Sequence, residues 1–351
     1  MKVANIHPLN RSEVSVRHSA ARTSLAALAG LSLLLTACAP AAAPSAEPEG
    51  IDVVASTNVY GDIARAVGGD KVNVTAIINK TSQDQHSYEA TAQDRLVISK
   101  AKLVIENGGG YDGFVHTMAE DSGIPHSSIV SAVEASGLAP EEVPAESSGP
   151  ESSGSETAHA EASAPEESHG DAHEHGDFNE HVWYSLDAMA KLADALAAKL
   201  GEVEPGSAAT FVANAETFKG ELDGLAAKLA ALKATSAGSP VAVTEPVPLY
   251  LLEAAGLENK TPADFSAAIE EGTDVPPAVL KAATDLAGSK DVRFLAYNQQ
   301  TEGAQTEALK KAAETAGVPV VDFSETLPDG KTYLQWMTDN VENISNVLGK
   351  K

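Results

Sequence analysis

Along this chain, apolar residues come in short continuous blocks, and between the blocks they return every three or four positions. Blocks of that kind read as buried strands and the longer periodic stretches as amphipathic helices. Ile51-Asp52-Val53-Val54-Ala55 is the first block, followed by a helical pattern over 59–67. A second strand is expected over 71–78, where Val72, Val74 and Ile77 partly alternate with polar residues. A helix over 92–101, the short block Leu103-Val104-Ile105, the turn Gly108-Gly109-Gly110 and a helix over 111–120 complete this part. Strands alternating with helices predict an α/β unit with a mainly parallel sheet. Two Ala/Leu/Lys-rich helices then cover 185–200 and 207–234, separated by the break Glu204-Pro205-Gly206. The second spans about 28 residues, roughly 40 Å, which suits a helix packed within one lobe or a strut crossing between two. A second α/β stretch follows, with strands at Val241-Ala242-Val243, 292–296 and 318–321 and helices over 248–255, 276–287, 302–316 and 331–348.

Two segments depart from this pattern. Residues 1–22 carry Lys2, Arg11, Arg17 and Arg22 against the single acid Glu13, and a run of small and apolar residues ends at Leu35-Thr36-Ala37-Cys38. A basic start, an apolar stretch short of the ~20 residues a span needs and a small-residue cleavage region read as a signal peptide over 1–37. The Ala-, Pro- and Glu-rich residues after it read as a flexible tether, 38–50. From Ala139 to about Glu180, Pro, Ser, Gly and Glu are in excess, Lys and Arg are absent, and His159, His169, His173 and His175 cluster. That composition cannot bury a core, so 139–180 is expected to be a disordered insertion within the first lobe.

Charge and cysteine content narrow the function. The chain holds 24 Lys and Arg against 50 Asp and Glu; without residues 1–37 the balance is 20 against 49, a net charge of −29. A surface this acidic repels phosphate backbones, so nucleic-acid binding is excluded. Cys38 is the only cysteine. It rules out an intramolecular disulfide and any cysteine-based zinc cluster, so a metal site would have to be built from His, Asp and Glu. Outside the leader and the insertion only His86, His116, His126 and His181 remain. His86 lies in Gln85-His86-Ser87-Tyr88-Glu89, between a strand and a helix, and His181 lies in Asn179-Glu180-His181-Val182-Trp183. Both fall on connections at element ends, where α/β folds place ligands.

Several motifs together resemble the zinc/manganese-type substrate-binding lipoproteins of bacterial ABC importers. His86-Ser87-Tyr88-Glu89 with Thr91-Ala92-Gln93-Asp94 is similar to that family's PHSYEPTPRD segment, and His181-Val182-Trp183-Tyr184-Ser185-Leu186 to its DPHVWLSP. The stretch from Val53 to Ala64 resembles its opening strand and helix. Thr244-Glu245-Pro246, Asn298-Gln299-Gln300-Thr301-Glu302 and Tyr333-Leu334-Gln335-Trp336-Met337 resemble its second half, in the family's order. Leu35-Thr36-Ala37-Cys38 resembles a lipobox, in which the thiol is acylated and becomes the new N-terminus. Gln85 and Asn179-Glu180 stand where the family has Pro and Asp-Pro.

The resemblance implies two α/β lobes (51–200 and 239–351) joined by a long helix within 201–238, with one metal in the cleft between them. Carried over position by position, it implies His86 and His181 as ligands from the first lobe and Glu245 and Glu325 from the second, with Asp322 as the alternative to Glu325. Two imidazoles and two carboxylates suit zinc, manganese or ferrous iron. The Glu at 245 leans to manganese and the His-rich insertion to zinc. The expectation is therefore an extracytoplasmic, monomeric protein, anchored to the membrane through lipid on Cys38, that carries the ion to an importer permease. An adhesive or metal-sequestering lipoprotein without a transporter is the main rival. A secreted metalloenzyme is disfavoured, because H-E-x-x-H, G-x-S-x-G and phosphate-loop motifs are absent and a fully protein-ligated metal has no position for activated water.

Overall fold

The computed structural model describes residues 50–83, 88–139 and 178–349. The expected signal peptide, the lipidation site Cys38, the tether up to residue 49, His86 and the four insertion histidines lie outside the described residues. Among the described residues no helix is long and apolar enough to cross a membrane.

Two four-stranded parallel sheets organise the chain. The first contains β1 (Ile51–Thr57), β2 (Val72–Ile78), β3 (Leu103–Glu106) and β4 (Ile129–Ser131), in the order β2-β1-β3-β4. The second contains β5 (Ser239–Val243), β6 (Leu257–Asn259), β7 (Leu295–Asn298) and β8 (Val320–Phe323), in the order β6-β5-β7-β8. Register is set by apolar pairs such as Ala55 with Ile105 and Val243 with Ala296. In both sheets the order reverses between the two central strands, β1 and β3 or β5 and β7. Loops leaving those strand ends diverge and open a crevice, which is where open α/β sheets place ligands.

Helices α1 (Asn58–Gly68), α2 (Ala92–Ile98), α3 (Gly113–Asp121) and α4 (Ala132–Ser136) belong to the first sheet. α7 (Leu249–Ala254), α8 (Ala263–Glu270), α9 (Pro277–Ala287) and α10 (Ala304–Ala316) belong to the second. Between the lobes run α5 (Leu186–Val203) and α6 (Ala208–Ser236), broken where Pro205 opens a 3-10 turn, and α11 (Tyr333–Gly349) closes the chain. On α6, Phe211, Ala215, Phe218, Leu222, Leu225 and Leu229 form one buried stripe at helical spacing. One hydrophobic cluster contains that stripe together with Val53 and Ile105 of the first lobe and Val243 and Phe294 of the second. The long helix is thus a spine shared by both cores.

Polar contacts also cross between the lobes. Asn58 Nδ2 donates to the Leu327 carbonyl (3.0 Å) and its Oδ1 accepts the Leu327 N–H (2.9 Å). Asp62 accepts the Tyr333 N–H (2.7 Å), and Tyr184 donates to the Ser324 carbonyl (2.8 Å).

The structure differs from the sequence reading in several places. The strands expected over 292–296 and 318–321 lie at Leu295–Asn298 and Val320–Phe323, where the parallel pairing of β7 with β8 runs from Leu295 opposite Val320 to Asn298 opposite Phe323. β4, α4, β6 and α8 were not expected; three are of five residues or fewer, too short for periodicity to register. Finally, Phe178, Asn179 and Glu180, expected within the insertion, are placed against the core, and Glu180 is only 3% exposed.

Candidate metal centre

The second sheet delivers its polar residues at the carboxyl ends of its strands. Glu245 follows β5 by two residues, Asn298 is the last residue of β7, and Glu325 follows β8 by two residues. The three are 2–3% exposed. The Asn298 amide Nδ2 donates to both carboxylates, to Glu245 at 2.6 Å and to Glu325 at 2.8 Å. Its orientation is fixed by Oδ1, which accepts the Gln300 N–H at 3.1 Å. The Thr301 hydroxyl also donates to Glu245, and the Tyr111 hydroxyl donates to Glu325 Oε2 at 3.0 Å. Tyr111 comes from the first lobe, so Glu325 is held from both sides of the cleft.

Tyr111 reaches this position through a tight turn. Gly108, Gly109 and Gly110 all have positive φ, and a Cβ on Gly108 would lie 2.4 Å from the Ser131 hydroxyl oxygen. The buried Asp112 carboxylate clamps the turn by accepting the N–H groups of Asn107 (2.6 Å) and Gly108 (2.9 Å).

His181 is 1% exposed and sits where the chain re-enters the core, just before a 3-10 turn formed by Val182–Tyr184. Rings of Tyr111 and Trp183 pack on it, with centroids 5.9 and 5.1 Å away. Asn179 Oδ1 accepts the His181 backbone N–H (3.1 Å) and lies 2.8 Å from Nδ1. The Asn179 amide nitrogen is committed to the Pro246 carbonyl (3.1 Å), so the oxygen must face the ring. A proton on Nδ1 satisfies this contact and fixes the tautomer, a common way of orienting a ligating imidazole.

Glu180 and Glu270 were not anticipated as part of the site. One oxygen from each and a ring nitrogen of His181 lie within 4.8 Å of one another. Glu270 Oε1 is 3.8 Å from His181 Nδ1. Glu270 ends α8, an element whose signal was Pro262 followed by an Ala-rich octet with Phe265 and Ile269 four residues apart. Glu180 was hidden by the composition of the segment before it.

Of the expected ligands, Glu245 and Glu325 meet at Asn298, and Tyr111 links Glu325 to His181, whose own carboxylate neighbours within 4.8 Å are Glu180 and Glu270. Asp322 is exposed on β8 and borders a different hollow with Lys331 and Asp339. His86 lies outside the described residues, but the carbonyl of Gln83, three residues before it, accepts from Gln300 Nε2 at 3.2 Å. Gln300 Oε1 in turn accepts the Glu325 N–H at 2.6 Å, tying the start of that loop to the Glu325 segment. His116 is away from the cleft, with Nδ1 3.2 Å from the Glu106 carboxylate.

The electrostatics favour a cation. Burial raises the pKa of Glu245, and the nearby Glu325 raises it further, against the opposing hydrogen bonds from Thr301 and Asn298. Burial, then the charges of Glu270, Asp112 and Glu325, push Glu180 up to about 8. Burial, then Glu325 and Glu271, push Glu270 up to about 7. Among the described residues no lysine or arginine pairs with Glu245 or Glu270. Carboxylates in this state hold protons near neutral pH, and a divalent ion releases them by supplying the missing positive charge.

The chain was compared with known proteins. It is 23% identical over 316 residues to the manganese ABC transporter substrate-binding lipoprotein scaA of Streptococcus gordonii, covering 86% of this chain and 89% of that one. It is 25% identical over 181 residues to the manganese-binding lipoprotein MntA of Halalkalibacterium halodurans, covering 52% of this chain. The chain spans about half the length of the first curated relatives it matches, 58% and 49%. Among solved structures, the periplasmic zinc binding protein TroA of Treponema pallidum shares the fold, with a TM-score of 0.63 at 19% identity, covering 86% of this chain and all of that one. The family described as the periplasmic component A of the zinc-uptake complex, ZnuA, matches residues 53–347, most of the sequence, and the chain belongs to that family.

Proposed function

We propose that this protein captures a divalent transition metal, zinc or manganese, outside the cytoplasm and delivers it to the permease of an ABC importer. The ligands are His86 and His181 from the first lobe and Glu245 and Glu325 from the second. The observation that supports this most is the convergence of Glu245 and Glu325 on a single amide donor, Asn298, at the switch point of the second sheet. Two buried carboxylates held side by side repel each other and are tolerated when a cation or a proton is shared between them. The names of the relatives, lipoproteins of manganese transporters among them, point the same way.

Metal is cargo in this reading, and the protein is a carrier that does no covalent chemistry. Four protein ligands close the coordination sphere, whereas hydrolytic metal sites keep one position open for water. It is a monomer held at the membrane by lipid on Cys38. Harder oxygen donors suit manganese, while the intrinsic order of affinities favours zinc at any compliant site. Elemental analysis of protein purified without chelator, followed by zinc–manganese competition, reads the cargo directly. One tightly held equivalent is expected, and it should be lost in His181→Ala and in Glu325→Ala. If either variant retains it at full affinity, the ligand set is wrong.

A further inference from the structure

Glu245 does not present its two oxygens equally. Oε2 accepts from two donors, the Asn298 amide at 2.6 Å and the Thr301 hydroxyl, and no donor among the described residues reaches Oε1. A carboxylate oxygen has two acceptor sites, so both sites of Oε2 are taken. A cation arriving at Glu245 is left with Oε1. Thr301 is itself held in place. It follows β7 by three residues, and the Thr306 hydroxyl of α10 donates to its carbonyl at 3.0 Å and accepts the Gly303 N–H at 2.9 Å. Thr306 is buried, so the turn is tied to a packed part of the second lobe. Thr301 also borders a cavity of about 550 Å³ between the end of α8 and the start of α10, where a methyl in place of the hydroxyl has room.

We infer that Thr301 sets the metal preference of the cleft by occupying Glu245 Oε2, which leaves the ion one oxygen of this carboxylate and holds its coordination number down. This role rests on the reading of Glu245 as a ligand. Zinc sites are complete near four ligands, whereas manganese(II) suits six-coordinate, oxygen-rich sites. Carboxylate and hydroxyl therefore act in opposite directions: Glu245 supplies the hard oxygen that suits manganese, and Thr301 withholds the second one. A hydrogen bond to an ionised group is roughly twice as strong as a neutral one, so a second metal–oxygen contact has to displace it. Asn298 does not act on Glu245 alone, because its amide also donates to Glu325 at 2.8 Å and any change there moves both carboxylates. The Thr301 hydroxyl acts on Glu245 only.

The test is zinc–manganese competition on the full chain, for wild type, Thr301→Val and Thr301→Ser. The first variant keeps the shape and removes the hydroxyl; the second keeps the hydroxyl. Thr301→Val should shift the ratio of affinities toward manganese by about fivefold or more, ~1 kcal/mol, while Thr301→Ser stays within about twofold of wild type. Cobalt(II) reads the coordination number, since its visible absorption weakens as ligands are added. The band should be weaker in Thr301→Val than in wild type or Thr301→Ser. An unmoved ratio overturns the inference even if both metals bind more weakly, because lost support of the turn would act on the two alike. A shift toward zinc overturns it as well, and so does a Thr301→Ser protein that behaves as Thr301→Val. Glu245→Ala separates this from the ligand reading. If that variant keeps the tight ion at wild-type affinity, both fail; if it loses the ion while the ratio in Thr301→Val stays unmoved, only the role of Thr301 fails.

Discussion

On the proposed ligand set, Glu245 is the side chain that would set the preference between metals. An imidazole there would supply one nitrogen, whereas the carboxylate can bind through two oxygens and raise the coordination number above four, which manganese accepts and zinc does not need. Glu245→His should therefore weaken manganese far more than zinc, shifting the ratio of affinities at least tenfold, about 1.4 kcal/mol. His116→Ala, beside Glu106 and away from the cleft, should shift neither. Paired competition titrations read both; an unmoved ratio in Glu245→His removes Glu245 from the ligand set. Acid–base behaviour belongs to the same scale. The carboxyls of Glu180, Glu270 and Glu245 all have pKa values raised above their unfolded value near 4.5. Between that value and 7–8 the folded, metal-free protein holds more protons than the unfolded chain. Their stabilising contribution is complete below pH 4.5 and is lost as pH rises to about 8, by up to about 1.4 kcal/mol per pH unit for each proton. Thermal melts of metal-free protein should show a falling midpoint from pH 5.5 to 8, while metal affinity rises over the same range because binding displaces those protons. A metal-free midpoint that rises with pH would contradict the protonated state of these groups.

At the level of elements, the segment from Phe178 to His181 matters more than its composition suggested. Asn179 orients His181, its carbonyl accepts the Tyr250 hydroxyl (2.7 Å), and its amide reaches Pro246, so three links join it to the site and to the second lobe. A deletion of the His-rich stretch must therefore stop at residue 177. Removing 140–177 should leave the tight cleft ion and abolish weaker equivalents bound by His159, His169, His173 and His175, as expected of a polar segment whose composition cannot bury a core. Calorimetry on the deleted protein tests this; loss of the tight ion would mean that a ligand lies within the deleted stretch. α6 carries the opposite lesson. Its apolar stripe was legible, but which surfaces it would meet was not, since periodicity marks a buried face without naming its partner.

For the whole molecule, the shared core around α6 and the hydrogen bonds between the lobes argue for small closing motions. Close-packed interiors shift between discrete arrangements and do not stretch, so large hinge opening would have to break the spine itself. The proposed lipid anchor is tested at the same scale. Cys38→Ala should move the protein from the membrane fraction to the soluble secreted fraction, since stable anchoring takes more than one acyl chain and a diacylated cysteine supplies that. Fractionation followed by immunoblot reads the outcome, and a variant that stays membrane-bound means another anchor.

What could be read from residues alone was whatever depends on local order along the chain. The hydrophobic periods located the long helices and most strands, because burying one face imposes a period of 3.6 or 2 on any sequence that does it. Loop positions drew attention to His86 and His181, but only the family resemblance of the surrounding motifs implied them, with Glu245 and Glu325, as ligands. Tertiary structure decided what depends on distance between remote segments. It placed Glu325 rather than Asp322 beside Asn298, since side chains three residues apart across a strand end point in different directions. It also brought Glu270 of α8 to Glu180 and His181, about ninety residues earlier in the chain. No pattern in either segment encodes that meeting, because local periodicity marks which face is buried and not which remote segment it meets.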